Sequence, residues 1–405
     1  MRVTLLDKPG IRLEAVIRDG RVNFELSGRL SRFLSPIKRL LRHLEEEKPA
    51  AVLNDQIVFS LYLPPLPSKA FIRMVKARLK SELLRRRVPE AVTLAITARC
   101  PCNCVHCSAA RRRPEELSAE EWKGVIRDAL DLGTYNVTFT GGDPLVREDL
   151  PELISSVDPA RAIAAVFTSG YLLRERAREL VEAGVYAVHV SIDSPDPDEH
   201  DELRGTPGLF ERCLEGIRSC LREGALVGIS TYATPEAVET GKVEDLLRLA
   251  RRLGVHEVTV FDAVPTGRLL HREDIMLSKR HREELADLHL RWNRERRSGP
   301  RVSVMSYVNS RRGSGCFAGY VQCHVTNDGE VTPCDFTPIS FGNVREIGFK
   351  RAWRRLTSHP EWRRWSERCR MQDPEFRRRY IRRIRPDERL PVRIEELERR
   401  AGEKG

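Results

Sequence analysis

Six short runs of β-branched and apolar residues alternate with helical stretches, and this alternation constrains the fold more than any other feature of the chain. The runs are VTLAIT (92–97), NVTFT (136–140), AIAAVFT (162–168), VYAVHVSI (185–192), LVGISTY (226–232) and HEVTVFD (256–262). Strands separated by helices pair in parallel through right-handed crossovers. The first crossover helix also carries a capping box, Ser118 followed by Glu121. The pattern predicts an α/β fold whose strands close wholly or partly into a barrel.

Distinctive sequence follows each of these runs. The segments, in chain order, are ARCPCNCVHCSA, TGGDPL, TSGY, SIDSPDPDEHDELRG, TYATP and AVPTGRL. The C-terminal ends of parallel barrel strands meet at one rim, where such folds carry their chemistry. A structural protein has little reason to gather glycine, small polar and ligand residues there. The sequence therefore predicts an active site at this rim.

Ten cysteines point to metal or cluster chemistry. The chain opens MRVTLLDKPG, without a basic and then apolar leader, so the cytoplasm is the expected compartment and disulfides are not expected. Four thiols lie within residues 100–107 and four more within 316–369. Thiolates this dense suit zinc, copper(I) or iron-sulfur centres. Cys213 and Cys220 lie seven apart on one face of a predicted helix, and we expect them to be small buried apolar groups.

The loop after the first strand has the spacing Cys100-x3-Cys104-x2-Cys107. Three protein thiolates on a 4Fe-4S cluster leave one iron open to an external chelator, which is a catalytic arrangement. A structural zinc site takes four closed ligands, usually from two pairs. Cys102 offers a fourth thiol, so a closed zinc or cluster site stays an alternative at this point.

Three motifs, TARCPCNCVHC, FTGGDPL and VSIDSPDPDEHDELRG, together resemble the radical SAM superfamily over about residues 91–268. The resemblance implies a partial (βα)6 barrel in which Cys100, Cys104 and Cys107 hold a 4Fe-4S cluster and S-adenosylmethionine chelates its open iron. It further implies reductive cleavage of S-adenosylmethionine to a 5′-deoxyadenosyl radical, which abstracts hydrogen from an unactivated C–H of the substrate. A low-potential electron donor of the ferredoxin or flavodoxin type is the implied partner.

The same resemblance suggests which residues contact S-adenosylmethionine. The cofactor-binding candidates are His106 (through its backbone, toward adenine), Gly141, Gly142, Asp143, Pro144, Ser169, Ser191 and Arg204. Asp143 departs from the family pattern, since glutamate is commoner there. The polar candidates Ser169, Ser191 and Arg204 have an alternative interpretation as strand-end turns or surface ion pairs. No residue is assigned a catalytic acid or base role.

A second cysteine segment, CFAGYVQCHVTNDGEVTPC (316–334), reads as a strand, an Asn-Asp-Gly turn and a second strand. It resembles the SPASM/twitch extension of radical SAM enzymes, a pattern that Cys316, Gly329 and Cys334 fit. The closely spaced downstream cysteines of that extension are missing. We therefore expect one auxiliary 4Fe-4S cluster, with Cys323 and Cys369 completing the ligand set. Four thiolates can equally close a zinc tetrahedron.

The predicted domains are a small α+β domain (1–90), the barrel (91–268), the SPASM/twitch-like extension (300–370) and a basic tail (371–405). The first contains a hairpin around residues 18–21, a helix at 31–47, a second strand pair and a helix at 69–87. Charge is concentrated at the two ends, with 19 Lys+Arg against 10 Asp+Glu in residues 1–90 and 18 against 10 in residues 351–405. We expect these ends to be solvated surface, and the segment 386–405 to be dispensable.

The leading hypothesis for the substrate is a peptide or protein undergoing maturation. The alternatives are a small cofactor precursor such as a tetrapyrrole, or a lipid approached at a membrane surface by the basic amphipathic helix at 69–87. A hypothesis from another class is a zinc-stabilised nucleic-acid binder that uses EFRRRYIRRIR (375–385). The barrel pattern and glycine motif make nucleic acid the weaker partner. No apolar run approaches the roughly 20 residues that a membrane-spanning helix needs.

Overall fold

The described residues among the first 90 include two small antiparallel sheets and a helix of 16 residues. The computed structural model describes residues 2–18, 21–29, 31, 41–42, 44–53, 56–84, 87–296 and 298–402. The first sheet contains β1 (Arg2–Lys8), β2 (Ile11–Arg18) and β3 (Arg21–Ser27), and the second pairs β4 (Ala51–Leu53) with β5 (Gln56–Val58). Helix α1 (Lys69–Leu84) follows. The predicted hairpin is confirmed because Arg18 pairs with Arg21, while its turn (19–20) lies outside the described residues, as does most of the predicted helix at 31–47.

The apolar stripe of α1 faces the core of this domain. Phe71, Val75 and Leu79 are at most 7% exposed and pack against the N-terminal sheet. Burial of an amphipathic stripe is the usual outcome for a surface helix of a globular domain. This stripe is therefore not available to a membrane surface, and the argument for a lipid substrate is lost.

A nine-stranded sheet forms the centre of the molecule. Its main strands are β6 (Ala91–Thr97), β7 (Asn136–Gly141), β8 (Ile163–Thr168), β9 (Ala187–Ser191), β10 (Leu226–Ala233), β11 (Glu257–Asp262), β12 (Arg301–Val304), β13 (Gln322–Val325) and β14 (Val331–Thr332). Their order is β12-β11-β10-β9-β8-β7-β6-β13-β14, and every neighbouring pair except β13 with β14 is parallel. All six predicted strands are confirmed. The short strand β12 was missed, and so was the pairing of β13 with β6.

Helices cover the outer face of this open barrel. In chain order they are α2 (Ala119–Leu132), α3 (Leu150–Ser155), α4 (Leu173–Glu182), α5 (Pro197–Arg204), α6 (Leu209–Arg222), α7 (Pro235–Glu239), α8 (Lys242–Leu253) and α9 (Lys279–Leu290). The predicted capping box is present, since Ser118 and Glu121 each accept a backbone hydrogen bond from the other. Cys213 and Cys220 are fully buried in α6, as predicted.

The N-terminal domain closes the end of the barrel opposite the cysteine loop. Ser60 Oγ and the Leu61 backbone N–H donate to the Glu257 carboxylate at the start of β11, at 2.9 and 2.6 Å. The Tyr62 hydroxyl lies 2.8 Å from Oγ1 of Thr259, which is two residues further along β11. Because Glu257 is fully buried, these contacts fix the N-terminal domain to the barrel rather than leaving it on a linker.

The C-terminal region continues from the barrel sheet. Its elements are α10 (Met305–Val308), β15 (Ile339–Ser340), α11 (Val344–Ile347), α12 (Phe349–Ser358), α13 (Pro374–Arg379), β16 (Val392–Arg393) and α14 (Ile394–Gly402). The predicted strand-turn-strand is confirmed as the antiparallel pair β13 and β14. Strand β16 pairs in parallel with β15.

The expectation of a solvated basic tail is wrong. Leu390, Val392, Ile394 and Leu397 are at most 4% exposed and belong to the main hydrophobic core. Tyr380, which lies among the arginines of the nucleic-acid hypothesis, is 1% exposed. The apolar residues lie between charged ones at strand and helix spacing, so average composition concealed them. Within the described residues, no helix combines the length and hydropathy needed to cross a bilayer.

Candidate functional site

The cysteine loop begins where β6 ends, at the C-terminal rim of the barrel. The backbone N–H groups of Asn103 and Val105 donate to the carbonyls of Arg204 and Leu203 at the end of α5, each at 3.0 Å. On the other side, the Arg268 N–H donates to the Cys107 carbonyl at 3.0 Å. These bonds fix the loop between two segments that follow β9 and β11. The predicted placement of the cysteines at the rim is therefore what the structure shows.

The thiols of this loop differ in exposure. Cys104 is buried, Cys100 is exposed, and Cys102 and Cys107 are half-buried. The Cys102 N–H points to Cys100 Sγ at 3.4 Å, and a hydrogen bond between the two side chains lowers the pKa of Cys102 to about 6. Within the described part of the chain, no three His, Cys, Asp or Glu side chains are close enough to hold a single metal ion. The choice of Cys100 over Cys102 as a ligand continues to depend on spacing.

The glycine pair after β7 packs directly on the cysteine loop. The Gly142 and Asp143 N–H groups donate to the Thr97 and Arg99 carbonyls at 2.8 and 2.9 Å. A Cβ atom on Gly142 would lie 2.2 Å from the Arg99 carbonyl oxygen, and Gly141 has a φ of +147°. Only glycine allows this approach and this backbone conformation. The two motifs are thus held as one backbone unit.

The Asp143 carboxylate is used within the protein. It accepts hydrogen bonds from Thr168 Oγ1 at 2.9 Å, from the Ser169 N–H at 3.0 Å and from the Ser169 hydroxyl. Burial raises the pKa of Asp143, and the Ser169 bond opposes that rise. Asp143 and Ser169 therefore join the ends of β7 and β8, and Pro144 starts the turn that follows. The structure gives these side chains a positioning role at the rim.

Arg204 and His106 meet at Asp193, a residue that the candidate set omitted. Arg204 Nε lies 2.6 Å from Asp193 Oδ2, and His106 Nε2 lies 3.3 Å from the same oxygen. Burial opposes both charges, yet the pair raises the pKa of Arg204 and lowers that of Asp193. Arg204 also points Nη1 at Cys104 Sγ, 3.8 Å away. A mostly buried cation, with 11% of its side chain exposed, thus lies beside a predicted cluster ligand.

The His106 ring takes no metal-ligand position. It stacks on Tyr232 at the end of β10, with ring centroids 4.8 Å apart and an interplanar angle of 11°. Ser191, at the end of β9, has its Oγ 3.2 Å from Ser230 Oγ of β10. Tyr232 and Asp193 both fall within the strand-end segments quoted above, and their position directly after strands was the signal available in the sequence.

Three cysteines of the second set converge in the C-terminal region. Burial raises the pKa of Cys334 to about 12, and the nearby Cys316 thiol adds to the rise. The pKa of Cys369 is raised by burial and then by Cys316 and Cys334. Gln372 Nε2, just after Cys369, donates to Asp262 Oδ2 at 3.0 Å and so connects this site to the end of β11.

Cys323 does not join this group, and its assignment as a ligand is corrected. It lies in β13 opposite Val92 of β6, with no exposed surface, in the helix-facing hydrophobic core. Successive residues of a strand point to opposite faces. The predicted turn does bring Cys334 back toward Cys316, but Cys323 lies on the face of β13 that packs against the core.

An aromatic cluster packs behind the second cysteine site. Trp362 is fully buried, with its ring centroid 4.9 Å from Phe341 and 5.8 Å from Phe376. The Cys316 N–H donates to the Ser366 carbonyl at 2.9 Å, four residues beyond this tryptophan. The segment between Trp362 and Cys369 is therefore fixed by packing against distant parts of the chain.

Sequence comparison agrees with both sites. The model of the radical SAM superfamily matches residues 94–236, and that of the SPASM iron-sulfur cluster-binding domain matches residues 316–376. An AdoMet-dependent heme synthase of Methanosarcina barkeri is 30% identical over 288 residues, which cover 65% of this chain and 82% of the relative. The chain belongs to the radical SAM superfamily. A PqqA peptide cyclase of Rhizobium meliloti is also 30% identical over 279 residues, 65% of this chain and 73% of that protein.

A solved radical SAM structure shares the fold over most of the chain. Streptococcus suis SuiB bound to its precursor peptide SuiA superposes with a TM-score of 0.54 and 15% identity, covering 87% of this chain and 88% of SuiB. The open parallel barrel with its N-terminal and C-terminal regions thus has a counterpart in a solved structure. The protein is an enzyme of this type.

The cofactors of this radical SAM enzyme are a 4Fe-4S cluster with S-adenosylmethionine and an auxiliary iron-sulfur cluster. The residues present fit the 4Fe-4S cluster with S-adenosylmethionine, because three thiols share one loop and the Gly141–Gly142 backbone is packed against that loop. When bound, the cluster supplies the electron that cleaves S-adenosylmethionine. Cys100, Cys104 and Cys107 would hold that cluster. Cys316, Cys334 and Cys369 would hold the auxiliary one.

Proposed function

We propose that this radical SAM enzyme acts on a peptide and abstracts hydrogen from one of its unactivated C–H positions during peptide maturation. The PqqA peptide cyclase relative and the peptide-bound SuiB structure support a peptide substrate. The observation that carries the proposal is a groove in the N-terminal domain, described next. A ferredoxin or flavodoxin type donor supplies the electron. Ten unpaired cysteines suit a reducing cytoplasm.

The groove runs between the edge of β1 and helix α1. Its volume is about 270 Å³, and residues 4–8 line one side while Ile72 and Lys76 line the other. Within the described residues, β1 is an edge strand of its sheet. An edge strand offers backbone donors and acceptors to which an extended peptide adds as a further strand. Five residues of β1 line the groove, so a bound peptide strand of about five residues would match its length.

The charge of the groove indicates which peptide segment it takes. Lys8 and Lys76 line its walls together with one acid, Asp7, so the lining carries a net positive charge, and the domain carries 19 Lys+Arg against 10 Asp+Glu. Cationic walls steer and hold an acidic partner. We therefore infer that an acidic, extended segment of the peptide binds here, at the end of the barrel opposite the cysteine loop, and that a different segment of the same peptide carries the reacting residue to the rim.

Two lysines one turn apart on α1 give a matched test. Lys76 lines the groove, whereas Lys80 is exposed on the same helix outside it. We expect Lys76→Glu to raise the KM for an acidic peptide about five-fold or more, with little change in kcat, because it reverses one charge at the docking wall. Lys80→Glu should leave both constants unchanged. Equal effects of the two variants would refute docking in the groove.

A carboxylated tetrapyrrole is the second candidate substrate, favoured by the heme synthase relative. One assay with reconstituted enzyme, S-adenosylmethionine and dithionite distinguishes a peptide substrate from a tetrapyrrole substrate. Substrate-dependent 5′-deoxyadenosine and a mass change in a peptide pool support the proposal. The same products with a tetrapyrrole pool, and none with peptides, refute it.

A further inference from the structure

A small polar cavity lies between the two cysteine sites. Its volume is about 20 Å³, enough for a water molecule or a group of similar size. Ser108, directly after Cys107, forms one wall, and Asp335, directly after Cys334, forms another. Arg112 and His324 also line the cavity.

Arg112 is held in this cavity by a short relay of side chains. Its Nη2 lies 3.0 Å from His324 Nε2, and His324 Nδ1 lies 3.1 Å from Asp335 Oδ1. A guanidinium can only donate, so Nε2 must accept and the proton of the imidazole must sit on Nδ1, facing Asp335. His324 is 1% exposed. The contact with His324 therefore holds one end of the Arg112 guanidinium in place.

The other end of the guanidinium has no protein acceptor. Arg112 Nη1 is fully buried and makes no hydrogen bond to any described residue. Buried donors are almost always paired, and an exception calls for a missing water, ion or ligand. The charge of arginine and its forked donors favour a carboxylate over a neutral acceptor. The Asp335 carboxylate lies across the His324 ring and leaves Nη1 unoccupied.

We propose that Arg112 binds a carboxylate of the substrate and so positions the substrate between the barrel rim and the auxiliary cysteines. The carboxylate belongs either to a peptide, at its C-terminus or an acidic side chain, or to a small carboxylic acid. This inference depends on the radical SAM assignment and goes beyond the proposed peptide class, since both sources present the same chemistry to Arg112.

Formate, the smallest carboxylate, is the probe. Its binding to the reconstituted full-length holoenzyme is measured by saturation-transfer NMR, with formamide as the neutral comparison. We expect formate to bind wild type and Arg113→Gln alike, and Arg112→Gln at least ten-fold more weakly. Arg113 is the matched control, because it is half-exposed and its Nη1 lies 3.4 Å from Asp328 outside the cavity. Formate binding that survives in Arg112→Gln, or formamide binding as tight as formate, overturns the proposal.

Arg112→Lys serves if the glutamine variant loses iron or fails to fold. Lysine keeps the charge but lacks the planar fork of donors, so a single nitrogen has to serve both His324 and the ligand. We expect formate binding to weaken at least three-fold. Binding equal to that of wild type overturns the proposal.

The source of the carboxylate is identified by esterification. Peptides and a carboxylated tetrapyrrole are supplied as free acids and as methyl esters, and 5′-deoxyadenosine is measured. Esterification should raise the KM of the accepted substrate at least ten-fold in wild type and much less in Arg112→Gln. An accepted substrate indifferent to esterification overturns the proposal. Acceptance of the tetrapyrrole alone would refute the peptide class and leave the Arg112 site standing.

Discussion

The two cysteine sites of this enzyme are built in opposite ways. Cys100, Cys104 and Cys107 lie within eight residues of one loop, whereas Cys316, Cys334 and Cys369 come from segments spread over 54 residues. The first set is held by backbone hydrogen bonds to the two segments that follow β9 and β11. The second is assembled by packing around Trp362. A local site depends on its own loop, and an assembled site depends on the fold around it.

The largest expected effect separates two cysteines of the same loop. We expect Cys104→Ala to lose about four irons per chain and all detectable cleavage of S-adenosylmethionine, because the catalytic cluster needs three thiolates. Cys102→Ala should keep the iron and most of the cleavage. Cys100→Ala and Cys107→Ala should behave as Cys104→Ala. Iron analysis and 5′-deoxyadenosine formation under reducing, anaerobic conditions measure both. Loss of the cluster in Cys102→Ala with its retention in Cys100→Ala would show that the ligand register is wrong.

The next effect tests the assembled site. We expect Cys369→Ala, or Cys316→Ala with Cys334→Ala, to lose about four irons and turnover of the true substrate while S-adenosylmethionine cleavage persists, since the two clusters do separate jobs. Cys323→Ala is the matched control and should keep all its iron, because its side chain lies in the core. Zinc in place of iron at the wild-type site, or iron loss only in Cys323→Ala, would contradict this assignment.

A packing change should reach only the assembled site. Trp362→Ala is expected to destabilise the fold by about 3 to 5 kcal/mol, the usual cost of emptying a large aromatic from a core. It should release the auxiliary iron and spare the iron of the cysteine loop. The control is Trp365→Phe, since Trp365 is 37% exposed and loses only an indole hydrogen bond to the Ser314 carbonyl. Denaturant unfolding and Mössbauer spectra report the two quantities. Equal loss of iron from the cysteine loop and from the auxiliary site would mean that the two sites are not independent.

The smallest effect is kinetic. A strong iron chelator added to the oxidised holoenzyme should remove iron in two phases, the faster one from the cysteine loop, because Cys100 is exposed and no cysteine of the second site is. S-adenosylmethionine should slow the fast phase several-fold and leave the slow phase unchanged. Absorbance of the iron–chelator complex follows both phases. A single phase, or protection of the slow phase, would contradict the difference in exposure.

Sequence reasoning succeeded where neighbours in the chain are neighbours in space. Buried parallel strands are apolar β-branched runs, so the six barrel strands and the cysteine loop could be predicted. Cys323 was wrongly included as a ligand because spacing does not say which face of β13 it occupies, and that face is set by pairing with β6, over 200 residues earlier. Asp193 lay in a quoted segment, but only its 2.6 Å contact with Arg204 reveals its role. The tail was misjudged because its few apolar residues are nearly all buried.

The contact between Ser60 and Glu257 also bears on the order in which the molecule can mature on the ribosome. These residues are 197 positions apart, so the N-terminal domain emerges long before the barrel end that it closes. At translation rates of about 5 to 20 residues per second, roughly 10 to 40 seconds separate the synthesis of the two partners. During that interval no barrel is present to cover the apolar surface around Leu61. The N-terminal domain is therefore synthesised well before the barrel strand that holds it in place.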